Sequence, residues 1–502
     1  MQVKIDSSTK LFDQAEFKVI GVYQQVAKTK NQDKKVDLGS IKNSDLKNLF
    51  KKIKSAHSFS ANKGESFIIN DETGNTYCLL GLGIKNKSTT EDVRRNTAAI
   101  FKNYAGQHES VSFDLDSLSA GSFDRYAYAA IEGVLLANYS FEKYKSVPTK
   151  NKLKILSFKV SSKHLKKTNL MLKNIQKISE SIFLARDLAT EAPNYLHSVK
   201  YSQIIAKDVK DNLKNVKTKI LTKAMIQKEN MNLLLSVNAG SAYEPRLVHL
   251  TYTPTKKSKN SKHIALVGKG ITFDTGGYSL KPAANIMGMK FDMAGSSTLY
   301  GAFRSAVLLG SPHKITCILA MTDNAVSSTA TFPDSVIKSR NGKSVEILNT
   351  DAEGRLILAD ALDYAGDLKP DVIIDAATLT GACLVALGDE VCGLMSNSTK
   401  LVESLKKSAK NVDEYIWQLP IMDEWRTHIK SNIADIKNIG KPMRAGTAVA
   451  AAFLEEFIQE GIEWAHLDIA GVAHDQSHLP YCPNNGGSGI MVRTVTDYLL
   501  NV

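Results

Sequence analysis

The sequence has few cysteines and no long apolar run. Five cysteines are spread over 502 residues with no CxxC pair, so a disulfide framework or a CxxC zinc site is disfavoured and reduced thiols are expected. No stretch approaches the roughly 18 apolar residues of a membrane span, and the opening MQVKIDSSTKLFDQ lacks the apolar core of a signal peptide. These absences predict a folded, soluble, cytoplasmic chain that makes no use of a membrane.

Acidic residues are scarce in the first half of the chain. Residues 1–262 hold 44 Lys and Arg against 24 Asp and Glu, a balance of +20, whereas residues 263–502 hold 20 against 27, a balance of −7. A basic half is compatible with nucleic-acid binding. Its basic stretches, such as KNKLKILSFKVSSKHLKK, are rich in Lys and almost free of Arg, which favours a solvated lysine-rich surface. DNA binding stays open as the alternative function.

Length and hydrophobic content, 43%, allow at least two domains with separate cores. Residues 1–167 alternate strand-like runs (FKVIGVY, ESFIIN, TYCLLGLGI, SVSFDL, KLKILSFKV) with helix-like runs (SDLKNLFKKIKSA, TEDVRRNTAAIFKNYA, RYAYAAIEGVLLANY), which predicts an α/β domain. Apolar residues spaced by three and four then predict a long connecting helix over residues 168–190.

Residues 191–502 carry a second α/β pattern. Its predicted strands are continuous apolar runs, as expected of a mixed sheet covered by helices: LLLSVNAGS, RLVHLTY, HIALVG, KITCILAMT, DVIIDAATL and WAHLDIAG. The sequence therefore predicts an α/β fold of two domains, the smaller one N-terminal and the larger one C-terminal.

Charged residues collect after one of these strands. Lys269, Asp274 and Lys281 lie in the glycine-rich segment that follows HIALVG, and ligand sites of open α/β sheets lie past the carboxyl ends of strands. Asp292 sits in the apolar stretch MGMKFDMAGSS, where a buried acid needs compensation. Taken alone, Asp292 is more often a helix cap or an ion-pair partner, and each lysine is usually a surface residue.

The stretch NTDAEGRL adds Asp351 and Glu353 at alternate positions, so in an extended segment both side chains point the same way. A turn that starts a helix is the alternative interpretation. Were all the acids to meet, cations would have to stabilise them, and carboxylates shared between two divalent ions are typical of two-metal hydrolases. Spacing alone leaves open whether they meet.

Together these segments closely resemble the leucyl aminopeptidase family of dizinc exopeptidases. The signature NTDAEGRL is present without a mismatch, and VGKGITFDTGG, SLKP, KFDMAG, DAATLTGA, WQLP and HLDIAG match in order. The resemblance implies a macro-like N-terminal domain, a catalytic C-terminal domain, peptide substrates and a homohexamer. It also implies an aminopeptidase that releases N-terminal leucine or another apolar residue by attack of a hydroxide bridging two metal ions.

Carried over residue by residue, the resemblance implies two divalent ions, zinc with manganese as a replacement, and two catalytic residues. Lys281 would stabilise the oxyanion, and Arg355 would hold a bicarbonate ion that moves the proton. The implied metal ligands are Lys269, Asp274, Asp292, Asp351 and Glu353. Lys269 can ligate only as a neutral amine, which requires burial and the cation to lower its pKa.

The family's pocket for the first side chain matches Met289, Thr378, Gly381 and Ala470, a mostly apolar lining that favours leucine or methionine. Two departures affect this region. Ala473 replaces a methionine found in some members, which would widen the pocket. The loop MTDNAVSSTATFPDSV, residues 321–336, differs from the common ENMPSGNAYRPGDV. A phosphate-cleaving two-metal enzyme shares the carboxylates but leaves the aminopeptidase signature unexplained.

Overall fold

The computed structural model of the chain describes residues 1–8, 10–25, 36–53, 58–72, 74–256 and 260–502. They form two compact units. Unit 1 comprises Met1–Ser179 and Ser477–Pro483, and unit 2 comprises Glu180–Gln476 and Asn484–Val502. The division falls within one long helix, Leu165–Thr190, which covers the predicted connecting helix. The predicted domain boundaries after residues 167 and 190 stay predictions.

Unit 1 is an α/β unit, as the alternating runs predict. Its strands and helices are β1 (Gln2–Asp6), α1 (Lys10–Gln14), β2 (Phe17–Gln24), β3 (Val36–Asp37), α2 (Ser44–Lys52), β4 (Ser66–Asn70), β5 (Thr76–Ile84), α3 (Thr90–Tyr104), β6 (Ser110–Asp114), α4 (Leu115–Leu118), α5 (Phe123–Ala137), β7 (Ile155–Lys159) and the start of α6 (Leu165–Thr190). The predicted helix SDLKNLFKKIKSA continues past α2 into residues 54–56, which lie outside the described residues.

The described strands of unit 1 form one sheet in the order β1-β7-β6-β2-β5-β4, with β3 beside β2. Strand β2 is buried along its whole length because it pairs in parallel with both β5 and β6. Helix α3 begins at a capping box in which Thr89 and Asp92 satisfy each other's backbone N–H groups. The apolar residues of α3 and α5 close the core over this sheet.

Unit 2 is larger, and its elements are helices and the strands of two sheets. In chain order they are α7 (Ser198–Asn212), β8 (Val216–Leu221), α8 (Lys223–Lys228), α9 (Asn232–Asn238), β9 (Arg246–Tyr252), β10 (His263–Asp274), α10 (Ala283–Ile286), α11 (Ala294–Leu309), β11 (Lys314–Asn324), β12 (Ser335–Lys338), β13 (Ser344–Ile347), α12 (Gly354–Gly366), β14 (Val372–Ala377), α13 (Gly381–Leu387), β15 (Cys392–Ser396), α14 (Thr399–Val412), β16 (Ile416–Gln418), α15 (Asp423–His428), β17 (Ile436–Lys437), α16 (Gly446–Glu455), β18 (Glu463–Asp468) and α17 (Val492–Asn501).

The main sheet of unit 2 has the order β16-β15-β18-β14-β10-β11-β9-β8 and is mixed, as predicted. Its centre is parallel, because β18, β14, β10 and β11 all run in one direction. Helices α11 and α12 both pack on β10 and β14, which explains why these strands are continuous apolar runs. A second, three-stranded sheet has the order β12-β13-β17.

One predicted strand of unit 2 is wrong. The run LLLSVNAGS forms helix α9, in which Leu233, Leu234 and Val237 are buried at helical spacing against the core that also contains α12. A short apolar run fits a buried strand or a buried helix equally well, so periodicity could not separate the two. The other five predicted strands of this half correspond to β9, β10, β11, β14 and β18.

Among the described residues, no helix is long and apolar enough to cross a membrane.

Candidate active site

Three parallel neighbours in the main sheet end at the same edge and begin the site. Strand β10 ends at Asp274, β14 is followed by Thr378, and β18 is followed by the loop that contains Ala470. The carboxyl ends of parallel strands are where open α/β sheets place ligands, in the crevice between loops that leave toward opposite faces of the sheet. Residues predicted from three separate motifs therefore lie at the same edge of the main sheet.

The prediction that Lys269 and Asp274 follow the strand is wrong, because β10 continues its pairing with β11 as far as Asp274. Lys269 therefore lies inside β10, where it contacts one half of the charged cluster. Its ammonium Nζ is 2.7 Å from Asp292 Oδ1 and 2.8 Å from Glu353 Oε1. Nζ also donates to the backbone oxygen of Thr378 at 2.9 Å, while the Thr378 hydroxyl donates to Asp292 Oδ1 at 2.8 Å. Lys269, Asp292 and Glu353 are all buried, so this half is closed to bulk water.

Lys281 contacts the other two acids of the charged cluster. Its Nζ is 2.8 Å from Asp274 Oδ2 and 2.5 Å from Asp351 Oδ1. The other oxygen of Asp274 accepts hydrogen bonds from Asn324 Nδ2 at 2.8 Å and from the backbone N–H of Gly276 at 2.9 Å. Each lysine thus lies between two carboxylates from different segments of the chain.

The NTDAEGRL segment reaches this geometry without being extended, so the extended conformation considered above is wrong. Asn349 to Ala352 form a turn, and Glu353 has helical backbone angles, φ −80° and ψ −35°, at the start of α12. The turn sends Asp351 to Lys281 and Glu353 to Lys269. Gly354 is required next, because a Cβ there would lie 2.5 Å from Lys269 Nζ.

Burial and neighbouring charges shift the pKa values of the groups in the cluster. Burial disfavours ionised acids, so the pKa values of Asp274 and Asp351 are raised and that of Asp292 is raised well above the usual range. Burial alone would lower the pKa of Lys269, but attraction by Asp292, Glu353 and Asp274 raises it instead. Among the protein groups, the expected lowering is therefore reversed, and a neutral Lys269 amine would require a cation in the cluster.

The donor set of this cluster fits divalent metal ions. One oxygen from each of Asp274, Asp351 and Glu353 lies within 4.8 Å of the others. Two further carboxylate oxygens, Asp292 Oδ2 and Glu353 Oε2, are buried and accept no hydrogen bond from any described residue. The four acids formally carry two more negative charges than Lys269 and Lys281 neutralise, which divalent ions would compensate.

Arg355 lies in the first turn of α12 and is buried. Its Nη1 donates to the backbone oxygen of Asn438 at 2.8 Å, and its Nε is buried without a hydrogen-bond partner among the described residues. Burial lowers the pKa of Arg355 to about 10, so the guanidinium stays charged at neutral pH. A buried charged donor with an unused N–H group fits a small anion such as bicarbonate.

Three of the four predicted pocket positions are connected through a single acid. Asp468, the last residue of β18, accepts the backbone N–H groups of Leu379 and Ala470, each at 3.2 Å, and the Thr380 hydroxyl at 2.6 Å. These bonds join the Thr378–Gly381 segment to Ala470. A Cβ at Gly381 would meet nothing within 4 Å, so this position borders open space. Met289 opens the short 3₁₀ turn that contains Asp292.

Comparison with known proteins decides the family. A profile of the cytosol aminopeptidase family, catalytic domain, matches residues 183–496, and the N-terminal domain profile of the same family matches residues 19–148. This chain belongs to the cytosol aminopeptidase family. Membership supports metal-dependent aminopeptidase activity, which is a hydrolysis of peptides. It also accounts for the two α/β units.

Relatives agree with this assignment. Proteins named probable cytosol aminopeptidase from Persephonella marina and from Pseudomonas syringae pv. tomato are each 39% identical, over 426 and 430 residues, covering 84% of both chains. Among solved structures, the bottromycin maturation enzyme BotP in complex with Mn is 27% identical with a TM-score of 0.83, covering 97% of this chain and 99% of that one. None of these matches supports the DNA-binding alternative.

Sequence reasoning missed two residues of this cytosol aminopeptidase site. Asn324 ends β11 at the start of the altered loop and bridges Asp274 to the backbone oxygen of Thr350, at 2.8 and 3.0 Å. Asp468 lies within the HLDIAG motif but was not singled out. The available signal was the same for both: a polar residue at the carboxyl end of an apolar strand in the parallel sheet.

Proposed function

We propose that this member of the family is a leucyl aminopeptidase with two divalent metal ions held by Lys269, Asp274, Asp292, Asp351 and Glu353. The observation that supports this most strongly is the convergence of these five side chains, drawn from three segments, around buried carboxylate oxygens that lack donors. When bound, the ions would supply Lewis-acid polarisation of the scissile carbonyl and an acidified water. Zinc is the expected metal, and the Mn-bound structure of BotP favours manganese as a replacement.

Lys281 and Arg355 are the proposed catalytic residues. The Lys281 ammonium is fixed at the open side of the cluster by Asp274 and Asp351, so it can donate to a carbonyl oxygen on which negative charge develops. Its pKa is raised, because attraction by these two acids outweighs burial, and it therefore stays charged at neutral pH. Arg355 would hold a bicarbonate ion through its unused N–H group, close to Glu353.

The pocket for the first side chain is proposed to comprise Met289, Thr378, Gly381 and Ala470. Its lining is mostly apolar, and the open space at Gly381 suits a branched aliphatic side chain. We therefore propose a preference for N-terminal leucine or another apolar residue. The relatives are named cytosol aminopeptidases, and we propose a cytoplasmic location on that basis.

The test is hydrolysis of leucine p-nitroanilide by chelator-stripped protein before and after addition of zinc or manganese. We expect metal to restore activity in the wild-type chain and Asp351→Ala to remain inactive. Asp435→Ala is the matched control, since Asp435 is an exposed acid of the same unit that contacts Ser344. Wild-type protein that remains inactive with either metal, or an Asp351→Ala variant as active as wild type, would refute the proposal.

A further inference from the structure

Two aromatic side chains stay exposed beside the ion-pair cluster. The rings of Tyr278 and Phe332 pack against each other with centroids 4.8 Å apart, yet 40% of Tyr278 and 56% of Phe332 remain accessible. Phe332 belongs to the loop of residues 321–336 that departs from the family's common sequence. Large rings that pack together and still face solvent present an apolar surface to whatever approaches. We name Tyr278 and Phe332 the aromatic pair.

The aromatic pair is fixed to the site by hydrogen bonds on both sides. Tyr278 lies between Asp274 and Lys281 in the chain, and its hydroxyl donates to the backbone oxygen of Ser327 at 3.0 Å. The next residue, Ser279, donates its N–H to Thr350 Oγ1 at 2.8 Å, directly before Asp351. The rings are therefore attached to the segments that carry the Lys281 half of the cluster.

The loop that carries Phe332 is also held in place. The Thr331 hydroxyl donates to the backbone oxygen of Ser236 at 2.7 Å, and the Thr329 hydroxyl donates to that of Ala239 at 2.6 Å. These bonds tie the loop to α9 and its C-terminal end. A preformed aromatic surface loses little conformational freedom when a ligand side chain packs on it.

The cluster has two distinct ends, and they give the direction of a bound peptide. Thr378 of the proposed pocket contacts Lys269 and Asp292, which assigns the first side chain of a substrate to the Lys269 end. With the scissile bond at the carboxylates, the remaining peptide is then assigned to the Lys281 end. Tyr278 precedes Lys281 by three residues, so the aromatic pair belongs to that end.

We propose that the aromatic pair is a binding subsite for an apolar or aromatic side chain at the second or third position of the peptide. This inference rests on the proposed aminopeptidase function and adds a substrate class to it: peptides with an aromatic residue downstream of the cleaved bond. The contribution is one aromatic packing contact, which corresponds to a gain of about three- to tenfold in kcat/KM, expressed mainly in KM.

The test compares three peptides, Leu-Gly-Gly, Leu-Phe-Gly and Leu-Gly-Phe, with the metal-loaded full chain. Wild type is expected to prefer one of the phenylalanine peptides over Leu-Gly-Gly about three- to tenfold. Phe332→Ala should lose this preference, and Phe332→Tyr, which keeps the ring, should retain it. Tyr278→Leu removes the other ring and should also lose it. Val326→Ala truncates an exposed side chain of the same loop and is the control that should keep it.

The outcomes separate the two proposals. Hydrolysis of all three peptides at similar efficiency, or an unchanged preference in both Phe332→Ala and Tyr278→Leu, would overturn the subsite and leave the aminopeptidase function standing. Absence of hydrolysis for every peptide with the metal-loaded wild type would overturn the proposed function and the subsite with it.

Discussion

At the scale of single residues, Gly354 determines how close Lys269 comes to the loop that carries Glu353. A Cβ at residue 354 would lie 2.5 Å from Nζ and 2.7 Å from Cδ of Lys269, which is buried and held by Asp292 and Glu353. We expect Gly354→Ala to weaken metal binding by roughly ten- to a hundredfold, because it displaces a proposed ligand. Calorimetric titration with zinc measures this.

Gly366→Ala is the control for this variant. Gly366 ends the same helix, and the three atoms nearest its added Cβ all belong to the side chain of Gln459, which lies outside the charged cluster. Metal affinity in Gly366→Ala should match wild type. If Gly354→Ala also binds zinc as tightly as wild type, the close approach of Lys269 has no role in the site.

Asp468 is a second residue whose role can be measured. It holds the Thr378–Gly381 segment to Ala470 through three hydrogen bonds, so Asp468→Asn should loosen the pocket without touching the proposed metal ligands. We expect KM for leucyl substrates to rise about tenfold, the equivalent of one lost charge-assisted hydrogen bond, with a smaller change in kcat. A fall in kcat at constant KM would argue against this role.

At the scale of elements, helix α12 joins the site to the core. Glu353 and Arg355 lie at its start, and Asp360 at its centre is fully buried and accepts the backbone N–H groups of Leu234 and Arg340 at 3.0 and 2.9 Å. Burial raises the pKa of Asp360 to about 7, although these hydrogen bonds act in the opposite direction. The helix therefore carries an acid that is half-protonated near neutral pH.

This makes part of the stability of α12 dependent on pH. Between about pH 4 and pH 7 the unfolded chain gives up the Asp360 proton before the folded chain does, so the contribution falls as pH rises and levels off above about pH 7. The loss amounts to at most about 4 kcal/mol. Asp360→Asn should flatten the decline in melting temperature between about pH 4 and pH 7. Parallel curves for variant and wild type would contradict this.

Individual strands and helices differ in how well the sequence predicts them. Strand β10 was predicted from its apolar run, although it extends through Lys269 to Asp274, two residues that were expected after its end. Helix α9 was not predicted, because seven residues of apolar sequence carry too little periodicity. The pairing of β13 with β17 and the bond from Arg355 to Asn438 each join residues more than 80 positions apart, which local pattern does not encode.

At the scale of the whole molecule, assembly is the proposal most open to direct measurement. Unit 2 exposes several large apolar side chains, including Val385, Trp417 and Met443, which is consistent with surface that another subunit covers. We expect a homohexamer of about 330 kDa, six times the 55.0 kDa chain, in light scattering after size exclusion. A single 55.0 kDa species at micromolar concentration would contradict this expectation.

Four acids and Lys269 are proposed to hold two divalent ions in one cluster, in which Asp351 is half-buried and the other members are buried. This proposal is tested most directly by the metal content of the purified chain after dialysis against zinc, for wild type and for Glu353→Gln. The account predicts two ions per wild-type chain and fewer than two in the variant, since Glu353 supplies both the Lys269 contact and an unpartnered oxygen. Wild-type protein that retains no ion, or a variant that retains two as tightly as wild type, would contradict it.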